Sequence, residues 1–217
     1  MGKNEAMAAA EYLPDRLSLP ALREAVQGCR GCGLWEHATQ GVLGEGSRNA
    51  ELVLVGEQPG DQEDKQGKPF VGPAGRILDE ALEEAGIDRS RAYVTNAVKH
   101  FKWKARGKRR IHQKPTWSEL TACKPWLEAE LELVKPHVLV CLGATASQAL
   151  LGKQFRVTRE RGVPLESDLA EHVLATIHPS AVLRAPDDEA RRAEREGLVR
   201  DLRVVAGLLA KASRSAA

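Results

Sequence analysis

Residues 52–75 read LVLVGEQPGDQEDKQGKPFVGPAG, and this stretch decides the fold. Its first residues are apolar, and glycine and proline then break the run, which favours the end of a buried strand over a helix. A helix is predicted to follow, because apolar residues recur at helical spacing from Ala74 to Ala85. The unit is therefore a strand, a long loop and a returning helix. Its spacing matches neither a P-loop nor GxGxxG, so no nucleotide cofactor is expected.

Polar side chains follow this strand directly. Glu57 and Asp61 supply carboxylates and Gln58 supplies an amide. Open α/β sheets place their ligand crevice at the carboxyl ends of the strands, so we expect chemistry at this turn. The alternative is an ordinary surface loop.

Further apolar runs complete the predicted sheet. Strands are expected at residues 92–98, 137–142 and 173–177, and helices at residues 116–134, 144–151 and 187 to about 210. The pattern predicts a three-layer α/β/α domain with a central, mostly parallel, four-stranded sheet. Residues 1–20 lack periodicity, so we expect a loosely ordered lead-in followed by one domain at residues 21–217.

The composition of the 217-residue chain is that of a domain with a sizeable core, since 42% of its residues are apolar. Its net charge is only +2, so a polyanionic partner has to be inferred from local clustering. The apolar runs are too short for a signal peptide or a membrane span. We therefore expect a cytoplasmic location and no membrane partner.

Residues 99–114 form a basic run that holds eight of the chain's 32 basic residues and no acidic one. Phe101 and Trp103 lie within it, and alternating cations and aromatic rings are typical of proteins that bind single-stranded nucleic acid. A solvated basic loop is the alternative. Because the run follows the carboxyl end of a strand, we expect it to border the same crevice and to bind nucleic acid.

Four cysteines in a reducing compartment favour metal or cluster ligation over disulfides. Cys29 and Cys32 form a CxxC motif in a turn-rich context. Zinc sites, iron–sulfur clusters and redox dithiols all use this spacing. Cys141 lies in the middle of a predicted strand and is expected to be a core residue.

Five motifs stand in order along the chain: GEQPG at 56–60, PFVG at 69–72, TNAVK at 95–99, KRRIH at 108–112 and HPS at 178–180. Together they resemble the motifs of the uracil-DNA glycosylase superfamily, in the branch that bears a four-iron cluster. The resemblance covers most of residues 25–205. KRRIH, together with Gln58, is closest to the UdgX proteins, which bind uracil-containing DNA irreversibly.

The resemblance implies a pocket for a uracil base flipped out of DNA. Phe70 would stack on the base, Asn96 would pair with N3–H and O4, and Gly56 and Gln58 would belong to the same pocket. Cytosine, with an amino group at C4, would leave the Asn96 amide unpaired, at a cost of about 1–3 kcal/mol. Uracil costs least to extract from a single strand, so single-stranded DNA is the expected partner of a monomeric protein.

The resemblance also implies catalytic roles. His178 would donate to O2 and stabilise the departing uracil anion, and Glu57 and Asp61 would stabilise the positive sugar or position its attacker. The residues expected to contact the DNA backbone are Lys108, Arg109, Arg110 and Ser180.

For the four-iron cluster, the resemblance implies Cys29, Cys32, His100 and Cys123 as ligands. His100 stands where a cysteine is usual. Either its imidazole is the fourth ligand or Cys141 takes that place, and we expect His100 because a mid-strand thiol would have to leave the core. The cluster is expected to have a structural role.

His112 is the predicted nucleophile. Neutral imidazole attacks an oxocarbenium ion better than water does, and the resulting N-linked sugar would persist, so the protein would stay attached to C1′. The alternative role for His112 is one more contact with a DNA phosphate. At the level of the whole protein, the alternatives are a conventional uracil-DNA glycosylase with turnover and a non-enzymatic iron–sulfur module that binds DNA.

Overall fold

The computed structural model describes residues 9–215. Its strands are β1 (Leu52–Gly56), β2 (Ala92–Asn96), β3 (Trp103–Arg106), β4 (Arg109–His112), β5 (Val138–Leu142), β6 (Leu165–Ser167) and β7 (Ala170–Thr176). Its α-helices are α1 (Leu19–Ala25), α2 (Asp61–Gln66), α3 (Pro73–Glu84), α4 (Trp117–Val134), α5 (Ala144–Leu151), α6 (Val157–Glu160), α7 (Ser180–Leu183) and α8 (Asp188–Ser215).

The central sheet has five strands in the order β2-β1-β5-β7-β6. The first four are mutually parallel, and β6 runs antiparallel to β7 at one edge. The mostly parallel sheet is therefore confirmed, but the expected count of four strands is wrong. Sequence periodicity missed β6 because this strand has only three residues, too few to show an alternating pattern.

The two faces of the sheet follow the alternation of side chains along each strand. Leu52 and Leu54 of β1 point towards α3 and α8, whereas Val53 and Val55 point towards α4. Both faces are covered by apolar side chains, so the predicted three-layer arrangement is confirmed. α8 runs to Ser215, beyond its expected end near residue 210.

The register aligns the carboxyl ends of the parallel strands. Gly56 at the end of β1 pairs with Asn96 at the end of β2, and Leu142 of β5 pairs with Thr176 of β7. The turns that follow these strands consequently share one edge of the sheet, where the crevice was expected.

The basic run contains a β-hairpin where a loop was expected. β3 and β4 pair antiparallel, with Trp103 opposite His112, and Gly107 takes a positive φ of 59° at the turn. Alternation was not visible in the sequence because cations occupy both faces of these strands. We call residues 103–112 the hairpin.

The expected lead-in falls partly on residues 1–8, which lie outside the described residues. The described remainder packs on the domain, since Ala9 is buried and Tyr12 and Leu17 contact the core on the α4 side. The described part of this segment therefore contacts the domain. No helix within residues 9–215 combines the length and apolar character needed to cross a membrane.

Candidate active site

A pocket of about 730 Å³ lies at the carboxyl edge of the parallel strands. It collects side chains from the ends of β1, β2 and β7 and from the last residue of the hairpin. Seven of the predicted site residues line it: Glu57, Gln58, Phe70, Asn96, His112, His178 and Ser180.

Glu57 follows β1 and lies between two partners in this pocket. Its Oε1 is 3.2 Å from Nε2 of His112, and its Oε2 accepts a hydrogen bond from the Thr145 hydroxyl. Burial acts to raise the pKa of Glu57, but the hydrogen bonds from His112 and Thr145 outweigh it, so the pKa lies below its ordinary value. The pocket therefore contains an ionised carboxylate directed at an imidazole.

Asn96 and Phe70 form the inner wall of the pocket. The Asn96 side chain is 2% exposed, and its amide has no hydrogen-bond partner among the described residues. A Cβ at Gly56 would lie 2.4 Å from Asn96 Oδ1 and 2.7 Å from Phe70 Cζ, so only glycine fits there. Phe70 adopts a positive φ of 55°, which is rare for a bulky residue. This wall offers a free amide and an aromatic face.

His178 is held in a single tautomer. Its Nδ1 accepts the backbone N–H of Ser180 at 3.1 Å and lies 2.7 Å from the Ser180 hydroxyl, which in turn accepts from Arg184. Burial lowers the pKa of His178 to about 4, helped by Arg184 and His112 and opposed by Glu57. At neutral pH the ring is uncharged, with its one proton on Nε2. That N–H is available to a ligand.

Gln58 lines the pocket, and its amide forms hydrogen bonds with the backbone on both sides of the hairpin. Its Nε2 donates to the carbonyls of Lys102 and Gln113, and its Oε1 accepts the N–H of Lys102 at 3.0 Å. Residues 102 and 113 flank the hairpin on either side. Gln58 thus lies in the expected pocket, and its amide also holds the hairpin, which carries His112 with a 50% exposed side chain.

Arg110 and Asp61 occupy positions that differ from the expected ones. Arg110 donates to Asp61 and to the buried Asp64, each at 2.6 Å, and also reaches Thr39. Asp61 does not line the pocket, because its carboxylate is held by Lys65 and Arg110. Neither residue is placed for the role that the sequence suggested: Asp61 lies outside the pocket lining, and Arg110 is engaged in tying β4 to α2.

Lys108 and Arg109 stand at the tip of the hairpin and are exposed. Their neighbours Lys104 and Arg106 on β3 are exposed as well. No acidic side chain pairs with these four within the described residues, so they form a cationic surface beside the pocket. This placement agrees with the expected phosphate contacts of Lys108 and Arg109.

Glu63 and Thr145 are two of the pocket residues that the sequence did not single out. Glu63 is buried and accepts the N–H of Gly60 at 3.0 Å and that of Gly72 at 2.7 Å, so it ties the turn after β1 to the turn after Phe70. Thr145 lies two residues after Gly143, which follows the carboxyl end of β5. The rule that pointed to Glu57 would have found Thr145 as well, and the spacing of Glu63 from Gly60 is that of a capping box.

The four predicted cluster ligands lie around the start of α4 and the CxxC turn. Burial raises the pKa of the Cys123 thiol to about 12; Lys99 opposes the rise, and the neighbouring thiols of Cys32 and Cys29 add to it. Cys123 Sγ accepts the N–H of Lys99, and Cys29 Sγ accepts the indole N–H of Trp126. N–H donors to sulfur are typical of iron–sulfur sites.

His100 has the chemical properties that a fourth ligand needs. It is buried, its ring has no hydrogen-bond partner among the described residues, and burial lowers its pKa to about 4, so the imidazole is neutral. Cys141 is buried in β5, and burial alone raises its pKa to about 12, without the influence of the other thiols. Within residues 9–215, no group of three Cys, His, Asp or Glu side chains is arranged to hold a single metal ion. A four-iron cluster is larger than one ion, so its ligands stand farther apart.

Comparison with known proteins gives concordant matches. The family model described as the uracil DNA glycosylase superfamily matches residues 43–203. A type-4 uracil-DNA glycosylase of Thermotoga maritima is 41% identical over 170 residues, which cover 78% of this chain and 85% of the relative. One of Sulfurisphaera tokodaii is 35% identical over 178 residues, or 78% of each chain. A type-5 uracil-DNA glycosylase of Thermus thermophilus is 35% identical over 186 residues, or 75% of this chain and 80% of the relative.

Proposed function

Because this chain belongs to the uracil DNA glycosylase superfamily, we propose that it cleaves the N-glycosidic bond of uracil in DNA and remains bound to the deoxyribose through His112. The observation that carries the proposal is the pairing of His112 with Glu57 at 3.2 Å, in the same pocket as Asn96 and His178. In this proposal the pocket binds the base, and the hairpin places the His112 imidazole at the mouth of the pocket.

Recognition is assigned to the inner wall. The Asn96 amide accepts from uracil N3–H and donates to O4, while Phe70 stacks on the ring. The Asn96 residue is 2% exposed, and its amide bonds no other group among the described residues, so a base that pairs with it supplies two hydrogen bonds. Cytosine presents an acceptor at N3 and a donor at C4 and would leave both groups of the amide unpaired. This mismatch would make the pocket selective for uracil over cytosine.

Bond cleavage is assigned to His178 and Glu57. The C1′–N1 bond breaks heterolytically, and its electron pair leaves with N1, so uracil departs as an anion and the sugar becomes an oxocarbenium ion. The Nε2–H of neutral His178 donates to O2, where the negative charge accumulates. The ionised Glu57 stabilises the positive sugar. Both groups are in the required protonation state at neutral pH.

Capture is assigned to His112. The lone pair of one ring nitrogen forms a bond to C1′, giving an imidazolium. This product gives up its remaining N–H proton, for which Glu57 is the acceptor in contact, and the uracil anion takes up one proton. One protein–DNA bond forms and one uracil is released, with no water consumed. Once deprotonated, the imidazole is a poor leaving group, so the adduct persists.

DNA reaches the pocket over the cationic surface of the hairpin. Exposed Lys104, Arg106, Lys108 and Arg109 attract phosphate oxygens beside the pocket mouth. A base in single-stranded DNA needs no unpairing before it enters, so we propose that a monomer acts preferentially on single strands.

We also propose that Cys29, Cys32, His100 and Cys123 hold a four-iron, four-sulfur cluster, which supplies structural cohesion. Two of these residues, His100 and Cys123, lie on either side of the hairpin in the sequence. The cluster is therefore expected to fix the two ends of the segment that presents His112.

The proposed reaction is tested with an oligonucleotide that contains one uracil. The protein is incubated with single-stranded DNA, and the products are resolved on a denaturing gel while free uracil is quantified. We expect a heat- and detergent-stable adduct, one uracil released per adduct, and no reaction with the matched thymine or cytosine oligonucleotides. Uracil in large excess over protein without an adduct indicates a conventional glycosylase. Inertness to uracil contradicts the assignment of the pocket.

The proposed cluster is tested by metal analysis and absorbance. We expect about four irons per chain and a broad shoulder in the visible region. His100→Ser should lower the iron content, whereas Cys141→Ala is the matched change of a buried thiol and should retain it. The reverse pattern moves the fourth ligand to Cys141, and colourless protein with one zinc per chain contradicts the cluster.

A further inference from the structure

Thr145 is a buried polar residue that the proposed reaction leaves without a role. Its side chain lines the pocket, the residue is 4% exposed, and its hydroxyl donates to Glu57 Oε2. It is placed there by the turn after β5, where Gly143 takes a positive φ of 90° and a Cβ would lie 2.9 Å from His178 Cβ. The turn is therefore built for glycine, and it directs Thr145 at the carboxylate.

We propose that Thr145 is a positioning residue that fixes the orientation of Glu57 towards His112. This inference rests on the proposed function, since it assigns a geometric requirement to the same pair. A glutamate side chain rotates about several bonds, and one hydrogen bond to His112 leaves its other oxygen free to move. The hydroxyl of Thr145 holds Oε2, so Oε1 remains directed at His112 Nε2.

The hydroxyl has a second consequence for the charge of Glu57. The titratable groups that act on this carboxylate are His112 from β4 and His178 from the turn after β7, while Glu63, Lys114 and Arg184 line the same pocket. Burial favours the protonated acid, and the hydrogen bonds from His112 and Thr145 favour the carboxylate. Loss of the Thr145 hydroxyl therefore raises the pKa of Glu57 and moves the acidic limb of the reaction to higher pH.

The test compares Thr145→Val, which keeps the shape but lacks the hydroxyl, with Thr145→Ser, which keeps the hydroxyl. Single-turnover rates of uracil release and of adduct formation are measured from pH 5 to pH 8. Loss of a hydrogen bond to a charged group predicts a rate about 10- to 100-fold lower for Thr145→Val at neutral pH, with the acidic limb shifted upward. Thr145→Ser should stay near wild type. Iron content and thermal unfolding show whether each variant is folded.

A second readout needs no reaction. Nitrogen NMR of the histidine rings reports whether the His112 Nε2 proton is hydrogen-bonded, and Thr145→Val should weaken that bond while Thr145→Ser retains it. Wild-type rates and an unchanged pH profile in Thr145→Val overturn the inference, as does a folded Thr145→Ser that behaves like Thr145→Val. If the wild-type protein forms no adduct, the proposed capture fails, while the NMR comparison still decides the role of Thr145.

Discussion

The two halves of the pocket are built in different ways. Glu57, Asn96 and His178 stand at the ends of buried parallel strands, and their positions are fixed by the register of the sheet. His112 stands on a two-stranded hairpin whose strands are largely exposed and which is held by side-chain contacts from Gln58 and to Asp61 and Asp64. The proposed base recognition thus belongs to the central sheet and the proposed nucleophile to an appended hairpin, so each half can be altered separately.

The largest effect is expected from removing the hairpin's imidazole. His112→Ser should abolish the adduct on a denaturing gel, while the intact sheet half still binds and activates uracil. Slow release of uracil by water is expected in its place, since the smaller side chain admits water to C1′. An exchange of His137, an exposed histidine far along the chain from the hairpin, is the matched control and should leave the adduct unchanged. An adduct formed by His112→Ser means that another residue is the nucleophile.

The next effect concerns the sheet half. Asn96→Ala removes the two proposed hydrogen bonds to the base. Their loss should cost about 1–3 kcal/mol, so the rate of reaction with uracil should fall by about 5- to 150-fold. Binding to undamaged single-stranded DNA should not change, because the hairpin's cations remain. The measurement pairs single-turnover kinetics with fluorescence anisotropy on an oligonucleotide without uracil. Equal losses in both would show that Asn96 does not contact the base.

A smaller effect separates the inward and outward faces of the hairpin. Arg110→Ala breaks the contacts with Asp61 and Asp64, so it should slow the reaction by about 10-fold, as expected for charge-assisted hydrogen bonds that position His112. The salt dependence of DNA binding by Arg110→Ala should match that of the wild-type protein.

Arg109→Ala is the matched change on the outward face. It should leave the single-turnover rate at saturating DNA unchanged and lower the slope of log binding constant against log salt by about 0.7 for one lost phosphate contact. Titrations of both variants at several salt concentrations make the comparison. A flattened slope for Arg110→Ala would restore that residue to the phosphate-binding set.

The smallest effect is a dependence of stability on pH. The pKa of His178 falls from 6.5 to about 4 on folding, so between these values the unfolded chain binds a proton that the folded protein does not. The free energy of unfolding should therefore fall as the pH decreases through this window. His178→Asn should make that dependence shallower in denaturant titrations at pH 4.5 and 7. An equal slope for both proteins would mean that the folded imidazole titrates normally.

The sheet half was largely predictable from sequence, because strand ends marked by glycine and polar residues obey a general rule of α/β sheets. Glu57 was found in this way, and Thr145 follows the same rule after β5, whereas Asn96 and His178 were indicated by the resemblance of their motifs to those of the family. In the hairpin half, the basic motif indicated His112, but the contacts that position the hairpin were not predictable. The partners of Arg110 lie 46 and 49 residues away in the chain, and no local pattern encodes such a contact. The same applies to Gln58, whose amide bonds backbone groups 44 and 55 residues away.

The most direct test of the central claim is to locate the bond between protein and DNA. The adduct with a uracil-containing single strand is digested with protease and nuclease, and the modified peptide is sequenced by mass spectrometry. We predict a single deoxyribose remnant on His112, with one free uracil per modified chain. A remnant on any other residue, or released uracil with no modified peptide, would contradict capture by His112.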